Sequence, residues 1–204
     1  MAIALHNYHE TYGSFPPAVM YDKDGKPMHS WRVLILPFLE QGHLYKEYRL
    51  DEPWNSPHNS KLAYYMPREY RCPSYDSFLS DHEIDGPEFK VLTNYVAIVG
   101  PGTIFEKGRA ITHKDVTDGT GKTIMLAETS RRPVHWMQPD DITPAKLVID
   151  LRLSKGEKMS NHEGGLHVLF ADGAVRFLSS DVSLKTLRAL CTRAGDETID
   201  DDAY

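Results

Sequence analysis

Residues 166–178, LHVLFADGAVRFL, carry the clearest structural pattern in the sequence. Apolar residues flank Asp172-Gly173, and an Asp-Gly pair supplies the positive φ angles that a tight hairpin turn requires. The segment therefore predicts a β-hairpin closed by a two-residue turn. In that register one face of the hairpin is apolar and must be covered by other parts of the chain. The predicted members of this buried face are Val168, Phe170, Val175 and Phe177.

Residues 2–12, AIALHNYHETY, predict a helix that packs on the sheet of this hairpin. Its apolar residues recur at helical spacing, and Gly13 with Pro16-Pro17 ends it. The predicted packing residues are Ala4, Leu5, Tyr8 and Tyr12. The helix starts in phase and without a capping residue, which is the pattern of a longer helix cut short. We therefore interpret residues 1–13 as the remnant of a stem whose N-terminus is exposed and points away from the rest of the domain.

The remaining patterns give an α+β fold class, in which helices and strands are largely separate along the chain. Capping residues, prolines and apolar spacing predict further helices over residues 30–38, 44–48, 57–66 and 184–193. Extended apolar runs predict strands over residues 95–99 and 123–127, and Asp22 to Lys26 reads as a turn. Residues 67–90 and 131–145 read as loops, and the acidic residues 196–204 as a frayed tail.

Length and charge restrict the classes of protein to which the chain belongs. Its 204 residues suit a single domain with a sizeable core. The 23 Lys and Arg against 29 Asp and Glu give a net charge of -6, which argues against a nucleic-acid-binding protein. No apolar run approaches the length of about 20 residues that a membrane span needs. The two cysteines, Cys72 and Cys191, are too few for an all-cysteine zinc site, and a disulfide between them is left open.

The sequence HEGGLH at 162–167 resembles a zinc-protease motif, but its two histidines are five residues apart and its glycines disfavour a helix. A non-helical site of His162, His167 and Asp172 is disfavoured as well, because the strand between His162 and the turn holds the two ends roughly 20 Å apart. We therefore expect the His162 imidazole to bond nearby backbone or a carboxylate and to be structural. A hydrolase built on His162 is the least favoured functional alternative.

Two other sets of residues are candidates for ligand binding. Carboxylates could supply oxygen ligands for calcium, although Asp-Gly turns explain most of them; the candidates are Asp22, Asp24 and Asp118. Exposed tryptophans could stack on a sugar, and the candidates are Trp54 and Trp136. Because neither set forms a complete motif, we expect no metal, no cofactor and no catalytic residue.

An ordered set of segments resembles a known family. These are ALHNYHETYGSFPPA, SWRVLILPFLEQGHLY, LDEPWNSPHN, YRCPS, NYVAIVGPGT and DVTDGTGKTIMLAE, followed by His162, nine residues and Asp172-Gly173. Together they resemble the planctomycete-type pilin-like family called domain of unknown function fifteen-fifty-nine, whose C-terminal hallmark is His-x9-Asp-Gly. The resemblance spans residues 2–195. It implies a pilin-like head that continues, in the family, from a prepilin-type leader and a long hydrophobic helix absent from this sequence.

The resemblance favours a non-enzymatic structural or assembly subunit of a secretion or surface-filament system. It implies other pilin-like subunits or secretion machinery as partners, a location outside the cytoplasm, and membrane contact only through the missing N-terminal helix. The alternative is an extracytoplasmic glycan- or solute-binding module that uses calcium.

Overall fold

The computed structural model describes residues 1–84, 86–129, 133–154 and 162–199. These residues form the α+β fold that the sequence predicts. The helices are α1 (Ala2–Tyr12), α2 (Trp31–Leu34), α3 (Gly42–Glu47), α4 (Pro73–Asp81), α5 (Pro144–Leu153) and α6 (Leu184–Ala189). The strands are β1 (Val19–Tyr21), β2 (Pro27–Ser30), β3 (Leu92–Thr93), β4 (Tyr95–Ala97), β5 (Ile124–Glu128), β6 (Val134–His135), β7 (Gly165–Phe170) and β8 (Val175–Ser179). Each of the described helices is too short or too polar to cross a membrane.

A four-stranded antiparallel sheet lies at the centre, in the order β4-β5-β7-β8. Side chains alternate between its two faces along β7. Val168 and Phe170 pack with the apolar residues of α5 and α6, such as Leu147 and Leu187. Leu169 belongs to a separate cluster on the opposite face, which includes α1. The sheet therefore separates α1 from the α5–α6 pair.

The hairpin β7–β8 forms as predicted, but its register differs by one residue. The amide of Phe170 donates a hydrogen bond to the carbonyl of Ala174, so the loop consists of the three residues 171–173 rather than two. Gly173 takes the left-handed position of this loop, with φ 89°. Leu169 therefore pairs with Val175, and His167 pairs with Phe177. A shift of one residue moves a side chain to the other face of a strand. The prediction that Val175 and Phe177 are buried is thus wrong: they are 64% and 45% exposed.

Helix α1 confirms the prediction for residues 2–12. Ala4 and Leu5 are buried in the same cluster as Leu126 and Leu169 of the sheet, and Gly13 ends the helix with φ 79°. Tyr12 is 60% exposed rather than buried, and its ring lies against those of Tyr8 and Phe38. Met1 is half-buried, whereas the sequence predicts an exposed N-terminus.

The segment that follows β2 is deeply buried, with Trp31, Val33 and Ile35 fully enclosed. The Ser30 hydroxyl caps α2 by accepting a hydrogen bond from the amide of Arg32, as the sequence predicts. Pro37 interrupts the predicted helix, and residues Leu36–Leu39 continue as a 3₁₀ turn. The guanidinium of Arg32 is fully buried and lies 2.8 Å from Asp141 Oδ1, which links this segment to the one before α5.

Two segments that the sequence predicts as loops contain helices. In residues 67–90 lies α4, whose first turn begins at Pro73 and whose Tyr75 and Leu79 pack on Cys72. In residues 131–145 lie strand β6 and the start of α5, which Thr143 caps. Both segments are rich in polar residues and proline and lack apolar periodicity, which favours a loop, although a proline is also well tolerated in the first turn of a helix.

Of the other predicted helices, the one over residues 44–48 forms as α3 (Gly42–Glu47), and two are shorter than expected. Residues Asn59–Tyr65 form a 3₁₀ helix within the predicted 57–66, and α6 ends at Ala189 rather than at 193. The start of the acidic tail is held in place, because the Asp118 carboxylate accepts hydrogen bonds from the amides of Gly195 and Asp196. Residues 200–204 of that tail lie outside the described residues.

Candidate functional site

Three side chains from separate segments converge at the end of the central sheet: Cys72, Glu128 and His162. Cys72 precedes α4, Glu128 is the last residue of β5, and His162 lies three residues before β7. The Nε2 atom of His162 lies 3.2 Å from Glu128 Oε2 and 3.7 Å from Cys72 Sγ. One ligand atom from each residue lies within 4.8 Å of the other two, and no other such group of His, Cys, Asp and Glu occurs among the described residues.

Backbone contacts through Asn94 hold two of these segments together. The fully buried Asn94 side chain accepts a hydrogen bond from the amide of Cys72 and donates one to the carbonyl of Thr129. The carbonyl of Asn94 also accepts from the amide of Thr129, at 2.6 Å. These hydrogen bonds of Asn94 therefore place Cys72 beside the end of β5.

His167 supports the cluster from the neighbouring strand. Its Nδ1 atom lies 3.2 Å from the same Glu128 Oε2 that His162 contacts, and the two imidazole rings meet edge to face at 4.5 Å. The Glu128 side chain is 4% exposed, while those of His162 and His167 are 28% and 40% exposed. The buried carboxylate thus lies beneath two imidazoles that face solvent.

The environment keeps the Cys72 thiol protonated in the free protein. Burial, and next to it the hydrogen bond and charge of Glu128, raise the pKa of Cys72 to about 11. Burial also raises the pKa of Tyr95, with the Glu128 charge adding to the effect. A thiol in this state is a poor nucleophile, because only the thiolate attacks.

The geometry differs from that of a catalytic cysteine–histidine pair. In such a pair the nucleophile and the orienting acid contact different imidazole nitrogens, so that one nitrogen can accept the proton of the nucleophile while the acid holds the ring through the other. Here Cys72 and Glu128 both face Nε2 of His162. The sulfur of Cys72, the carboxylate oxygen of Glu128 and the Nε2 atom of His162 instead face a common point.

The structure separates the two ends of the His-x9-Asp-Gly motif. His162 belongs to the cluster, whereas Asp172 lies in the turn of the hairpin, where its Oδ1 accepts a hydrogen bond from the amide of Ala174 at 2.8 Å. Its Oδ2 lies 4.0 Å from Arg176. The structure therefore brings His162 together with His167 but not with Asp172.

The candidate calcium ligands are dispersed, and the carboxylates of Asp22 and Asp118 accept hydrogen bonds from backbone amides. Asp22 Oδ1 accepts from the amides of Asp24 and Lys26 in the turn between β1 and β2. Asp118 binds the C-terminal segment, as described above. The described residues do not gather any of the three with other ligand groups.

The two tryptophans that are candidates for stacking on a ligand differ in exposure. Trp136 is fully buried and donates its indole N–H to the carbonyl of Ala63 at 2.8 Å, so it cannot contact a sugar. Trp54 is half-buried and its ring lies 4.9 Å from that of His135.

Sequence reasoning did not select Cys72 or Glu128. The signals available were weak: a carboxylate that closes a buried apolar strand, and a cysteine directly before a proline-led helix. Neither signal identifies a partner, because the contact between Cys72 and His162 spans 90 residues.

A family model described as "Protein of unknown function (DUF1559)" matches residues 1–150. The chain belongs to this family. The short name of the family model, SBP_bac_10, refers to a bacterial solute-binding protein. Neither the curated proteins nor the solved structures include a match. Cys72 and Glu128 lie inside the matched residues, and His162 lies beyond them.

Proposed function

We propose that this member of the family is a pilin-like or pseudopilin-like structural or assembly subunit without enzymatic activity, located outside the cytoplasm. The observation that carries the proposal is that the buried residues of α1, Ala4 and Leu5, belong to the same apolar cluster as Leu126 and Leu169 on one face of a four-stranded antiparallel sheet. A pilin head has this arrangement, with the end of its stem helix laid on the sheet. The partners would be other pilin-like subunits or secretion machinery.

An exposed apolar surface beside the start of α1 supports this proposal. We call it the β8 edge surface and define it as Ile3, Val175 and Phe177, of which Ile3 is 75% exposed. It adjoins a cavity of about 250 Å³ that Met1, Ile3 and Val175 help to line. Strand β8 is at the edge of its sheet, and an edge strand offers unpaired backbone groups to another chain. Such a surface is suited to contacts between subunits.

The test is photo-crosslinking in the native cells, with a photoreactive amino acid in place of Ile3 in the full-length protein. The matched control carries it in place of Leu184, which is 44% exposed on α6, across the sheet from α1. We expect adducts with pilin-like subunits from position 3 and few from position 184. Equal yields at both positions, or no adduct at position 3, would contradict the proposal.

One observation favours solute binding as a second candidate function. A groove of about 700 Å³ is lined by Tyr21, Arg109 and Asp141, among others. The buried Oδ2 atom of Asp141 has no hydrogen-bond partner among the described residues, so it could accept one from a ligand hydroxyl. The short name of the family model is consistent with this reading.

This second candidate predicts that a panel of neutral and acidic oligosaccharides contains a ligand that raises the melting temperature of the protein. Tyr21→Ala should abolish the shift, whereas Tyr64→Ala, an exposed tyrosine outside the groove, should not. A panel without any shift, or a shift that survives in Tyr21→Ala, would reject this groove as a sugar site.

A further inference from the structure

We propose that Cys72, Glu128 and His162 bind one divalent transition-metal ion, for which zinc is the best match. The proposal does not depend on the assembly role proposed above. It rests on the convergence of a thiol sulfur, an imidazole nitrogen and a carboxylate oxygen on one point. Zinc takes these three donors in proteins, and structural or catalytic zinc sites use them in sets of three or four.

Two of the three distances between the donor atoms match the edges of a zinc tetrahedron, and the third is below 4.8 Å. With the usual zinc–ligand bond lengths, a tetrahedron has a nitrogen–oxygen edge of about 3.3 Å and a sulfur–nitrogen edge of about 3.6 Å. The corresponding distances here are 3.2 Å between His162 and Glu128 and 3.7 Å between His162 and Cys72. An ion could therefore enter with little movement of the side chains.

The donor set also discriminates between metals. Calcium and magnesium prefer six or more oxygen ligands, and this cluster offers a single carboxylate beside sulfur and nitrogen. Thiolate and imidazole select a borderline or soft ion such as zinc. The site thus differs from the calcium site that the acidic turns of the sequence suggested.

His167 is a positioning residue for this site. Its Nδ1 contacts Glu128 Oε2, so it can hold the carboxylate in the orientation that a metal requires. The solvent-facing His162 leaves a path by which an ion can reach the buried carboxylate. Three protein ligands leave one tetrahedral position for water.

Metal binding would join three segments that are distant in sequence. Cys72 is attached to α4, Glu128 to β5 and His162 to the entry of β7. An ion bound to all three would stabilise the folded chain, since the site does not exist in the unfolded one. This gives His162 of the His-x9-Asp-Gly motif a chemical role in place of a purely structural hydrogen bond.

The test starts with the full chain freed of metal and titrated with Co²⁺ and Zn²⁺. We expect one Co²⁺ per chain with a thiolate-to-cobalt charge-transfer band in the near ultraviolet, which Zn²⁺ displaces. The chain contains only two cysteines, so Cys191→Ser is a matched control that should keep the band. This control tests the assignment to Cys72 even if the Cys72 variant does not fold.

The variants then assign the ligands. Cys72→Ser and His162→Ala should each weaken zinc binding by more than about 100-fold, and His167→Ala by about 10- to 100-fold, as positioning residues do. Zinc should also raise the melting temperature of the wild-type chain and not that of His162→Ala. Absence of the cobalt band in the wild type, its loss in Cys191→Ser, or zinc affinity unchanged in His162→Ala would overturn the proposal.

Discussion

Replacing Asp141 with alanine should destabilise the protein more than most single substitutions. Its Oδ1 atom accepts hydrogen bonds from Ala97 N at 2.7 Å, Arg32 Nη2 at 2.8 Å and Trp31 Nε1 at 3.2 Å. The guanidinium of Arg32 is fully buried, and Asp141 is its ion-pair partner among the described residues.

Asp141→Ala leaves the buried charge of Arg32 without its ion-pair partner. It also leaves the Ala97 amide and the Trp31 indole N–H without their acceptor. Breaking a buried ion pair by removal of one member costs about 3–5 kcal/mol. An unsatisfied buried donor costs about 1–3 kcal/mol, but these costs overlap and do not add. Arg32 keeps its hydrogen bonds to the Tyr95 carbonyl and the Ser30 hydroxyl. We therefore expect a loss of about 3–5 kcal/mol in the free energy of unfolding rather than the sum.

The assay is urea unfolding followed by tryptophan fluorescence and circular dichroism. Asp140→Ala is the matched control, because Asp140 is the exposed neighbour and its loss should change stability by less than about 0.5 kcal/mol. The double variant Arg32→Met, Asp141→Leu should recover much of the stability, since an apolar pair avoids the cost of burying charge. A loss below about 1 kcal/mol in Asp141→Ala would refute the reasoning.

Three further outcomes are expected. In urea unfolding, Phe170→Ala should lower stability by about 3–5 kcal/mol because Phe170 is fully buried. Phe177→Ala should lower it by much less, because Phe177 is 45% exposed. Equal losses in the two variants would contradict the observed register. Burial lowers the pKa of His135 to about 4, so as the pH falls the imidazole is protonated in the unfolded chain before it is protonated in the folded one. The free energy of unfolding should therefore decrease between pH 6.5 and 4. An equally steep pH dependence in His135→Gln would contradict this. Burial raises the pKa of Cys72 to about 11 and that of Cys191 to about 12, so in metal-free protein at neutral pH both thiols should react with a thiol reagent rapidly only after denaturation. Rapid reaction of either thiol in the native chain would show that it is accessible.

Local signals in the chain were sufficient for the elements whose ends are marked by short-range chemistry. Gly13 and the prolines after it end α1, Ser30 caps α2, and Asp172-Gly173 produces the turn of the β7–β8 hairpin. Each of these features depends on φ angles or hydrogen bonds within about four residues, so the residue types in that short segment are enough to predict it.

The same signals did not settle the register of the hairpin, because a difference of one loop residue changes which side chains are buried. An Asp-Gly turn is compatible with two or three loop residues, and the choice decides whether Val175 and Phe177 are buried or exposed. The sequence does not indicate α4, because few of its residues are apolar, and α5 begins at a proline inside a segment that reads as a loop. Packing against Cys72 and the sheet stabilises them, and that packing is not visible in their own segments.

The fold class, the first helix, the hairpin, the family resemblance and the interest of His162 can all be inferred from the residues alone. The contacts of His162 become apparent only when the chain is folded. Cys72, Glu128 and His162 belong to segments that the antiparallel sheet and the Asn94 hydrogen bonds bring to one end of β5. Such a cluster has no spacing rule along the chain, because its geometry is set by strand order and register rather than by distance in sequence.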